Sequence, residues 1–108
     1  MIKLDNKNAI VTGGAKGIGA AIALKLAQAG CNVLVSDIDE SGAQNIAKKI
    51  SELGRKSLAI RSDVSNLADA EKMISTAVQE LGSIDILVNN AGITRDNLLM
   101  RMSEAEWD

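Results

Sequence analysis

The 108-residue chain has no proline, histidine, tyrosine or phenylalanine, and it has a single cysteine and a single tryptophan. Its core must therefore be built from aliphatic side chains. One cysteine excludes an internal disulfide and is typical of a reducing compartment. No apolar run approaches the roughly 20 residues of a membrane-spanning helix, and residues 1–5 lack the pattern of a signal peptide. We therefore expect a cytoplasmic protein that binds no membrane.

Charge is nearly balanced, with 12 basic and 14 acidic residues and a net charge of −2. Because the two signs are interspersed, no basic patch indicates a nucleic-acid partner. The acidic residues and the lone cysteine do not have the spacing of metal ligands, and we expect no metal site. The length suits one domain, and we expect residues 1–108 to form it without a linker or a repeat.

A glycine-rich stretch at residues 12–19 follows a short apolar run and precedes a helical pattern over residues 20–29. Gly13 lets the chain turn off the strand, because glycine adopts positive φ without a steric cost. Gly17 leaves room for an approaching pyrophosphate, and Gly19 lets the helix pack closely on the strand. The helix then directs its free N–H groups at the anion. The stretch predicts a dinucleotide site, although a tight strand-to-helix turn without a ligand also favours glycine.

The rest of the chain alternates strands and helices. The predicted strands cover residues 8–12, 32–36, 57–61 and 84–89. The predicted helices end at Gly30, Gly54 and Gly82. Ser41 and Ser65 are the predicted N-caps of the second and third helices. From the helical spacing of apolar residues, we expect Ile18, Leu53, Leu67 and Val78 to lie on buried faces.

Right-handed crossovers place these strands in the order 3-2-1-4. The expected fold is α/β, half of a Rossmann doubly wound fold, with four parallel strands and three helices. A capping-box sequence at residues 103–106 predicts the start of a fourth helix. Ligands of such sheets bind at the carboxyl ends of the strands where the order reverses, between strands 1 and 4. The glycine-rich stretch and the turn at residues 89–92 should therefore face one crevice.

Two aspartates follow the second and third strands. Asp37 lies 18 residues after Gly19, where a carboxylate accepts hydrogen bonds from the ribose hydroxyls of an adenosine. The alternative is a solvated loop acid beside Asp39 and Glu40. Asp63 should lie near the adenine edge, and its alternative role is the local capping of a turn.

Methyltransferases that use S-adenosylmethionine also combine a glycine turn with an acid after strand 2, but the later sequence favours another family. Residues 12–19 (Thr-Gly-Gly-Ala-Lys-Gly-Ile-Gly) together with residues 89–92 (Asn-Asn-Ala-Gly) resemble the short-chain dehydrogenase/reductase pattern. Residues 85–102 resemble, more narrowly, bacterial 3-oxoacyl-[acyl-carrier-protein] reductases. The resemblance covers the whole chain and the N-terminal, smaller part of a full family member.

The resemblance implies a set of residues around a bound nicotinamide dinucleotide. The glycine-rich stretch would hold the pyrophosphate, Asp63 and Val64 would line the adenine pocket, and residues 90–92 would flank the ribose on the nicotinamide side. The complete set of expected cofactor-binding residues is Gly13, Gly14, Ala15, Lys16, Gly17, Ile18, Gly19, Asp37, Ile38, Asp63, Val64, Asn90, Ala91 and Gly92.

Family members reduce a β-keto thioester with hydride from the nicotinamide, using a downstream Asn, Ser, Tyr and Lys. In the family pattern these residues lie beyond Asp108, and the chain has neither tyrosine nor histidine to donate a proton. Lys16 is better explained as a phosphate contact than as a catalytic lysine. Cys31 is better explained as a small core residue than as a nucleophile. We therefore expect no catalytic residue in this chain.

Two functions are compatible with these features. The first is the dinucleotide-binding part of a reductase of fatty-acid synthesis, which binds the cofactor without turnover. The second is a structural or assembly module with an unoccupied nucleotide site. NAD is the expected cofactor, because Asp37 should repel a 2′-phosphate. NADP is the second choice, because a basic residue at the position of Lys16 marks family members that use NADP.

Strand 4 is also a predicted site of self-association. Residues 84–89 would leave a row of N–H and C=O groups open, which is a template for pairing. Antiparallel pairing with a second copy would give a homodimer with one eight-stranded sheet. A separate C-terminal half is the other expected partner. The alternative is a monomer in which residues 98–107 fold back over this region.

Overall fold

The computed structural model describes residues 4–90 and 99–101. Its elements in chain order are β1 (Asn8–Thr12), α1 (Gly17–Gln28), β2 (Asn32–Asp37), α2 (Glu40–Glu52), β3 (Ser57–Arg61), α3 (Leu67–Leu81), β4 (Ile86–Asn89) and β5 (Leu99–Arg101). The first four strands are parallel and lie in the order β3-β2-β1-β4. The predicted half of a doubly wound Rossmann sheet is therefore confirmed.

The free side of β4 differs from the sequence-based expectation. β5 pairs antiparallel with β4, with Met100 opposite Val88, and gives a five-stranded sheet in the order β3-β2-β1-β4-β5. The prediction that the edge of strand 4 is open is therefore wrong along Leu87–Asn89, and residues 99–101 lie where the alternative of a folded-back segment expects them. A nearby segment of the same chain occupies the edge, because pairing within one chain costs only the closure of a short loop. The expected helix start at residues 103–106 lies outside the described residues.

Side-chain alternation along the central strands divides the core into two layers. In β1, which is buried along its whole length, Ala9 and Val11 join one layer and Ile10 joins the other. Buried residues of α1 and α2 complete the first layer. Met73 and Ala77 of α3 pack on the second layer. Burial on both faces explains why the central strands are nearly continuous apolar runs.

The helix N-caps differ from those predicted. Asp39 caps α2, because its Oδ1 accepts a hydrogen bond from the Gly42 N–H at 3.1 Å. Ser41 already belongs to the first turn of that helix. Asn66 caps α3 through its side-chain oxygen, in place of Ser65. In both helices the side chain directly before the first helical residue is the one that reaches the unpaired N–H groups.

Four apolar side chains expected on buried faces are exposed. They are Ile18, Leu53, Leu67 and Val78, at 68%, 45%, 73% and 47% exposure. Ile18 and Leu67 lie in the first turns of α1 and α3, Val78 lies in the last turn of α3, and Leu53 is the C-cap residue of α2. The helices have 12, 13 and 15 residues. Within residues 4–90 and 99–101, none has the length and apolar character that a bilayer crossing requires.

Candidate functional site

The turn between β1 and α1 depends on backbone geometry that favours glycine. Gly13 and Gly17 have φ values of 63° and 62°, in the left-handed region that other residues rarely adopt. Outside its own helix and chain neighbours, a Cβ atom at Gly17 would meet no atom of the described residues within 4 Å, so the space beside this residue is open in that part of the structure. The turn thus presents a bare stretch of backbone at the carboxyl end of the sheet, with room for a ligand beside it.

Two other glycines allow this turn to pack tightly. A Cβ atom at Gly19 would overlap the carbonyl oxygen of Gly13 and lie 2.7 Å from the Asn90 side-chain nitrogen. A Cβ atom at Gly14 would lie 2.8 Å from a methyl group of Val35. The first turn of α1 therefore rests directly on the turn that precedes it, and that turn rests on β2.

The N-terminus of α1 receives no side-chain cap from its N-cap residue. Lys16 occupies the N-cap position without a capping side-chain hydrogen bond, and the first turn contains no acidic residue. By contrast, α2 and α3 are capped by Asp39 and Asn66. N–H groups at a helix start attract anions, because they are unpaired and lie at the positive end of the helix dipole. The exposed Lys16 adds positive charge at the same place.

Asp37 ends β2, and its carboxylate is held by two backbone N–H groups. Its Oδ2 accepts from the Ala15 N–H at 2.9 Å, and its Oδ1 accepts from the Asp39 N–H at 3.0 Å. The first of these bonds joins the end of β2 to the glycine turn. Each carboxylate oxygen can accept more than one hydrogen bond. The half-buried Asp37 is therefore fixed in place and can still accept from a ligand hydroxyl.

Asp63 makes hydrogen bonds within its own turn, as in the capping role that the sequence allows as the alternative to an adenine contact. Its Oδ1 accepts from the Ser65 hydroxyl at 2.6 Å and from the Ser65 N–H at 3.0 Å. These two bonds, the hydroxyl first, hold the pKa of Asp63 below its ordinary value. The Asp63 N–H donates to an oxygen of Asp69 at 3.0 Å. The loop after β3 is thus held by internal hydrogen bonds, and the carboxyl group of Asp63 is charged at neutral pH.

A cleft of about 390 Å³ lies over the carboxyl ends of β1, β2 and β3. It brings together six of the residues predicted for the site and two that were not, namely Gly13, Lys16, Asp37, Ile38, Asp63 and Val64 with Ser62 and Ser65. Ser65 was predicted only as a helix N-cap, and Ser62 was not predicted as a site residue. The sequence signal for both serines was that they flank Asp63 and Val64, so the four residues lie on one loop.

Side-chain hydrogen bonds join the ends of β1 and β4. The Thr12 hydroxyl accepts from the Asn90 N–H at 2.9 Å and donates to Asn89 Oδ1 at 3.2 Å. The Asn90 side-chain nitrogen donates to the Gly13 carbonyl at 3.1 Å. Thr12 was not predicted as a site residue, although the expected strand order places it opposite Asn89. Asn90 is therefore held against the glycine turn.

The remaining predicted residues fall in different places. Ala15 is half-buried on the turn, and Ile18 lines an apolar groove along α1 instead of the cleft. Ala91 and Gly92 lie outside the described residues. Within the described part of the chain, no group of three or more histidine, cysteine and acidic residues could hold a metal ion.

Cys31 lies at the opposite end of β2 from the cleft and is fully buried. Burial, and secondly the charge of Asp85, raise the pKa of its thiol to about 11. Because the thiolate is the reactive form of cysteine, this side chain is inert at neutral pH.

A family model described as short chain dehydrogenase matches residues 7–108. The chain belongs to the short chain dehydrogenase family. This confirms the resemblance seen in the glycine-rich stretch and in residues 89–92.

Two curated relatives of this short chain dehydrogenase are 3-oxoacyl-[acyl-carrier-protein] reductases. The protein of Staphylococcus epidermidis is 48% identical over 104 residues, which cover 95% of this chain and 43% of the relative. The protein of Vibrio cholerae is 48% identical over 106 residues, which cover 98% of this chain and 42% of the relative. The chain therefore spans less than half the length of these relatives.

Solved structures show the same arrangement of strands and helices. A hydroxysteroid dehydrogenase from Escherichia coli has a TM-score of 0.80 and 42% identity, covering 84% of this chain and 39% of that chain. A 7α-hydroxysteroid dehydrogenase complexed with NADH and 7-oxo glycochenodeoxycholic acid has a TM-score of 0.82 and 42% identity. The match covers 84% of this chain and 36% of that chain.

Proposed function

We propose that this chain is the dinucleotide-binding N-terminal part of a cytoplasmic reductase similar to 3-oxoacyl-[acyl-carrier-protein] reductase of fatty-acid synthesis. The hydrogen bond from the Ala15 N–H to Asp37 carries the proposal. It holds a carboxylate suited to ribose hydroxyls directly beside a glycine turn suited to phosphate. A turn that served only to connect a strand and a helix would not require this carboxylate.

The glycine turn fits the pyrophosphate. Apart from its chain neighbours and its own helix, no described residue places an atom within 4 Å of a Cβ atom at Gly17. The uncapped N–H groups of α1 and the exposed Lys16 offer hydrogen bonds and positive charge to the same region. In α2 and α3 the corresponding N–H groups already receive a side-chain oxygen of the chain.

The adenosine end of the cofactor fits the cleft over β2 and β3. The Asp37 carboxylate would accept hydrogen bonds from the ribose, as in other dinucleotide sites of this architecture. Ile38 and Val64 offer apolar surface for the adenine on the two sides of the cleft, and Asp63 lies beside Val64. The two hydrogen bonds from Ser65 to Asp63 stabilise this loop and use only one oxygen of the Asp63 carboxylate.

At the other end of the site, Asn90 and the adjoining residues 91 and 92 would flank the ribose of the nicotinamide. When bound, the nicotinamide supplies the hydride for reduction. The residues of this chain bind and orient the cofactor. Because the 108 residues contain no tyrosine or histidine, we infer that they do not complete the reduction by themselves.

We further propose that NAD is preferred over NADP. A 2′-phosphate would lie on the hydroxyl that Asp37 accepts from. At about 4 Å two like charges repel by roughly 1 to 4 kcal/mol, depending on the local dielectric. Lys16 opposes this effect, but it lies in the glycine turn, where it serves the pyrophosphate that both cofactors share.

A fluorescence titration with NADH tests the proposal. We expect saturable binding to the wild-type chain and at least about tenfold weaker binding to Asp37→Ala, because hydrogen bonds to a charged group are lost. Glu52→Gln is the matched control, since it removes the same charge from an exposed position at the far end of α2. Absence of binding to the wild-type chain would favour the structural module with an unoccupied nucleotide site.

A further inference from the structure

Asp69, the third residue of α3, contacts the loop after β3 through two of its oxygens. Its Oδ2 accepts from the Asp63 N–H at 3.0 Å, and its backbone carbonyl accepts from the Ser62 hydroxyl at 3.4 Å. The cap of α3 is a different side chain, Asn66, which accepts from the Asp69 N–H at 3.1 Å. The carboxylate of Asp69 therefore joins α3 to the loop that lines the cleft.

Ser62 connects this contact to the end of β2. It is a buried residue, and its N–H donates to the Asp37 carbonyl at 3.1 Å. Asp37 and Asp69 thus hold the first residue after β3 from two sides. The end of β2, the loop and α3 are therefore joined by a continuous set of hydrogen bonds.

Hydrogen bonds within the protein occupy most N–H groups of this loop. The N–H groups of residues 62, 63, 65 and 66 donate to Asp37, Asp69 and Asp63. Within residues 4–90 and 99–101, the Val64 N–H has no acceptor. Asp63 receives both Ser65 bonds on Oδ1, so its other oxygen remains able to accept. The loop thus offers the cleft one N–H donor and one carboxylate oxygen on adjacent residues.

Adenine matches this pair of groups. Its Watson–Crick edge has the N1 nitrogen as an acceptor beside the amino group at C6, which donates. Hypoxanthine has the opposite pattern, with a protonated N1 beside a carbonyl oxygen at C6. The Val64 N–H would then oppose another donor, and the charged Asp63 carboxylate would oppose a carbonyl oxygen. A loop held in this shape should therefore distinguish the two bases.

We infer that Asp69 is a positioning residue for adenine recognition, which acts through the backbone of Asp63. The inference rests on the proposed function, because that function places the adenine beside Val64. By accepting from the Asp63 N–H, Asp69 fixes the peptide plane that precedes Asp63 and thereby the course of the loop through Val64. Without this acceptor, the Val64 N–H and the Asp63 carboxylate lose their fixed direction. α3 thus takes part in selecting the base without touching the cofactor.

Calorimetric titrations with NAD⁺ and with nicotinamide hypoxanthine dinucleotide test this inference. We expect the wild-type chain to prefer NAD⁺ by about tenfold, the combined effect of two hydrogen bonds, and Asp69→Ala to lower this preference at least about threefold. Asp69→Asn keeps an oxygen that accepts from the Asp63 N–H, so it should keep the preference. Glu71→Ala is the matched control, because it removes a carboxylate from an exposed position of the same helix. A loss of stability alone would not change the preference, because it weakens the apparent binding of both ligands equally.

Amide hydrogen exchange of the ligand-free chain tests the contact by itself. The Asp63 amide should exchange at least about threefold faster in Asp69→Ala than in the wild type, because it loses its acceptor. The Gly42 amide, which donates to Asp39 at the start of α2, should exchange at the same rate in both proteins.

The outcomes separate this inference from the proposed function. If the wild-type chain binds NAD⁺ and Asp69→Ala leaves the preference unchanged, the role of Asp69 is overturned and the proposed function stands. The same conclusion follows if Glu71→Ala lowers the preference equally, if Asp69→Asn loses it as fully as Asp69→Ala, or if the Asp63 amide exchanges equally fast in the wild type and Asp69→Ala. If the wild-type chain binds neither dinucleotide, the inference and the proposed function are both overturned.

Discussion

Replacing Thr12 by valine tests whether one buried hydroxyl holds the ends of β1 and β4 together. Thr12 is 2% exposed, and its hydroxyl accepts from the Asn90 N–H at 2.9 Å while it donates to Asn89. Valine has nearly the same shape but offers no acceptor. The Asn90 N–H and the Asn89 side chain would therefore both lose their partner.

The size of the effect follows from the burial of these groups. Leaving a buried donor or acceptor unpaired costs about 1–3 kcal/mol. Because Asn90 is only half-buried, water can replace part of the lost bond, and we expect the lower half of this range. In a domain of this size, each kcal/mol lowers Tm by about 4–8 °C. Urea and thermal unfolding followed by circular dichroism would measure both quantities.

Ser36 provides an internal control. It lies opposite Thr12 in the sheet and is fully buried, but its hydroxyl oxygen has no hydrogen-bond partner among the described residues. Ser36→Ala removes a hydroxyl of similar burial without breaking a bond, so we expect unchanged or slightly higher stability. Thr12→Ser should retain most of the wild-type stability. The reasoning is refuted if Thr12→Val is as stable as the wild type, or if Ser36→Ala is equally destabilised.

Three further predictions follow from the site and the core. Gly19→Ala should destabilise the chain by about 1–3 kcal/mol, because the new methyl group overlaps the Gly13 carbonyl. Gly17→Ala should also destabilise it, because alanine does not favour a φ of 62°, and should in addition weaken NADH binding. Equal melting temperatures for Gly19→Ala and wild type would contradict this. Cys31 should resist thiol reagents at pH 8 until urea unfolds the chain. Rapid labelling of the native chain at pH 8 would contradict this. The pKa of the Cys31 thiol is about 11 in the folded chain, above its ordinary value of 9.0, so the thiol of the unfolded chain ionises first. The free energy of unfolding should therefore fall as pH rises between these two values. The 108-residue chain should not reduce an acetoacetyl thioester, and NADH consumption that scales with its concentration would show that another group donates the proton.

The sheet order and the approximate site could be predicted because they depend on long-range rules. Continuous apolar strands and right-handed crossovers determine the order β3-β2-β1-β4, and this order places the loops after the strands together. The hydrogen bond between Ala15 and Asp37 could not be predicted. It depends on the direction of one backbone N–H, which the positive φ of Gly13 and the packing of Gly14 on Val35 determine.

Local choices between competing groups were predicted less well. Asp39 directly precedes α2 and Ser41 is its second residue, and only the geometry of the first turn shows which side chain caps the helix. Coverage of β4 by residues 98–107 was given only as an alternative, and β5 itself was not predicted, because three residues after a polar loop are too few for a periodic pattern. The exposure of Ile18 likewise follows from its place at the start of α1, since periodicity alone does not show where burial of a helix begins.

The most direct test of the central claim is a map of backbone amide NMR shifts as NAD⁺ is added to the ¹⁵N-labelled chain. A dinucleotide over the carboxyl ends of the strands predicts saturable shifts concentrated at residues 13–19 and at Asp37, Ile38 and Val64. The amino ends of the same strands, at Asn8 and Asn32, should not shift, because they lie at the opposite end of the sheet. Shifts centred on Asn8 and Asn32, or no shifts at millimolar NAD⁺, would contradict the assignment of this site to a dinucleotide.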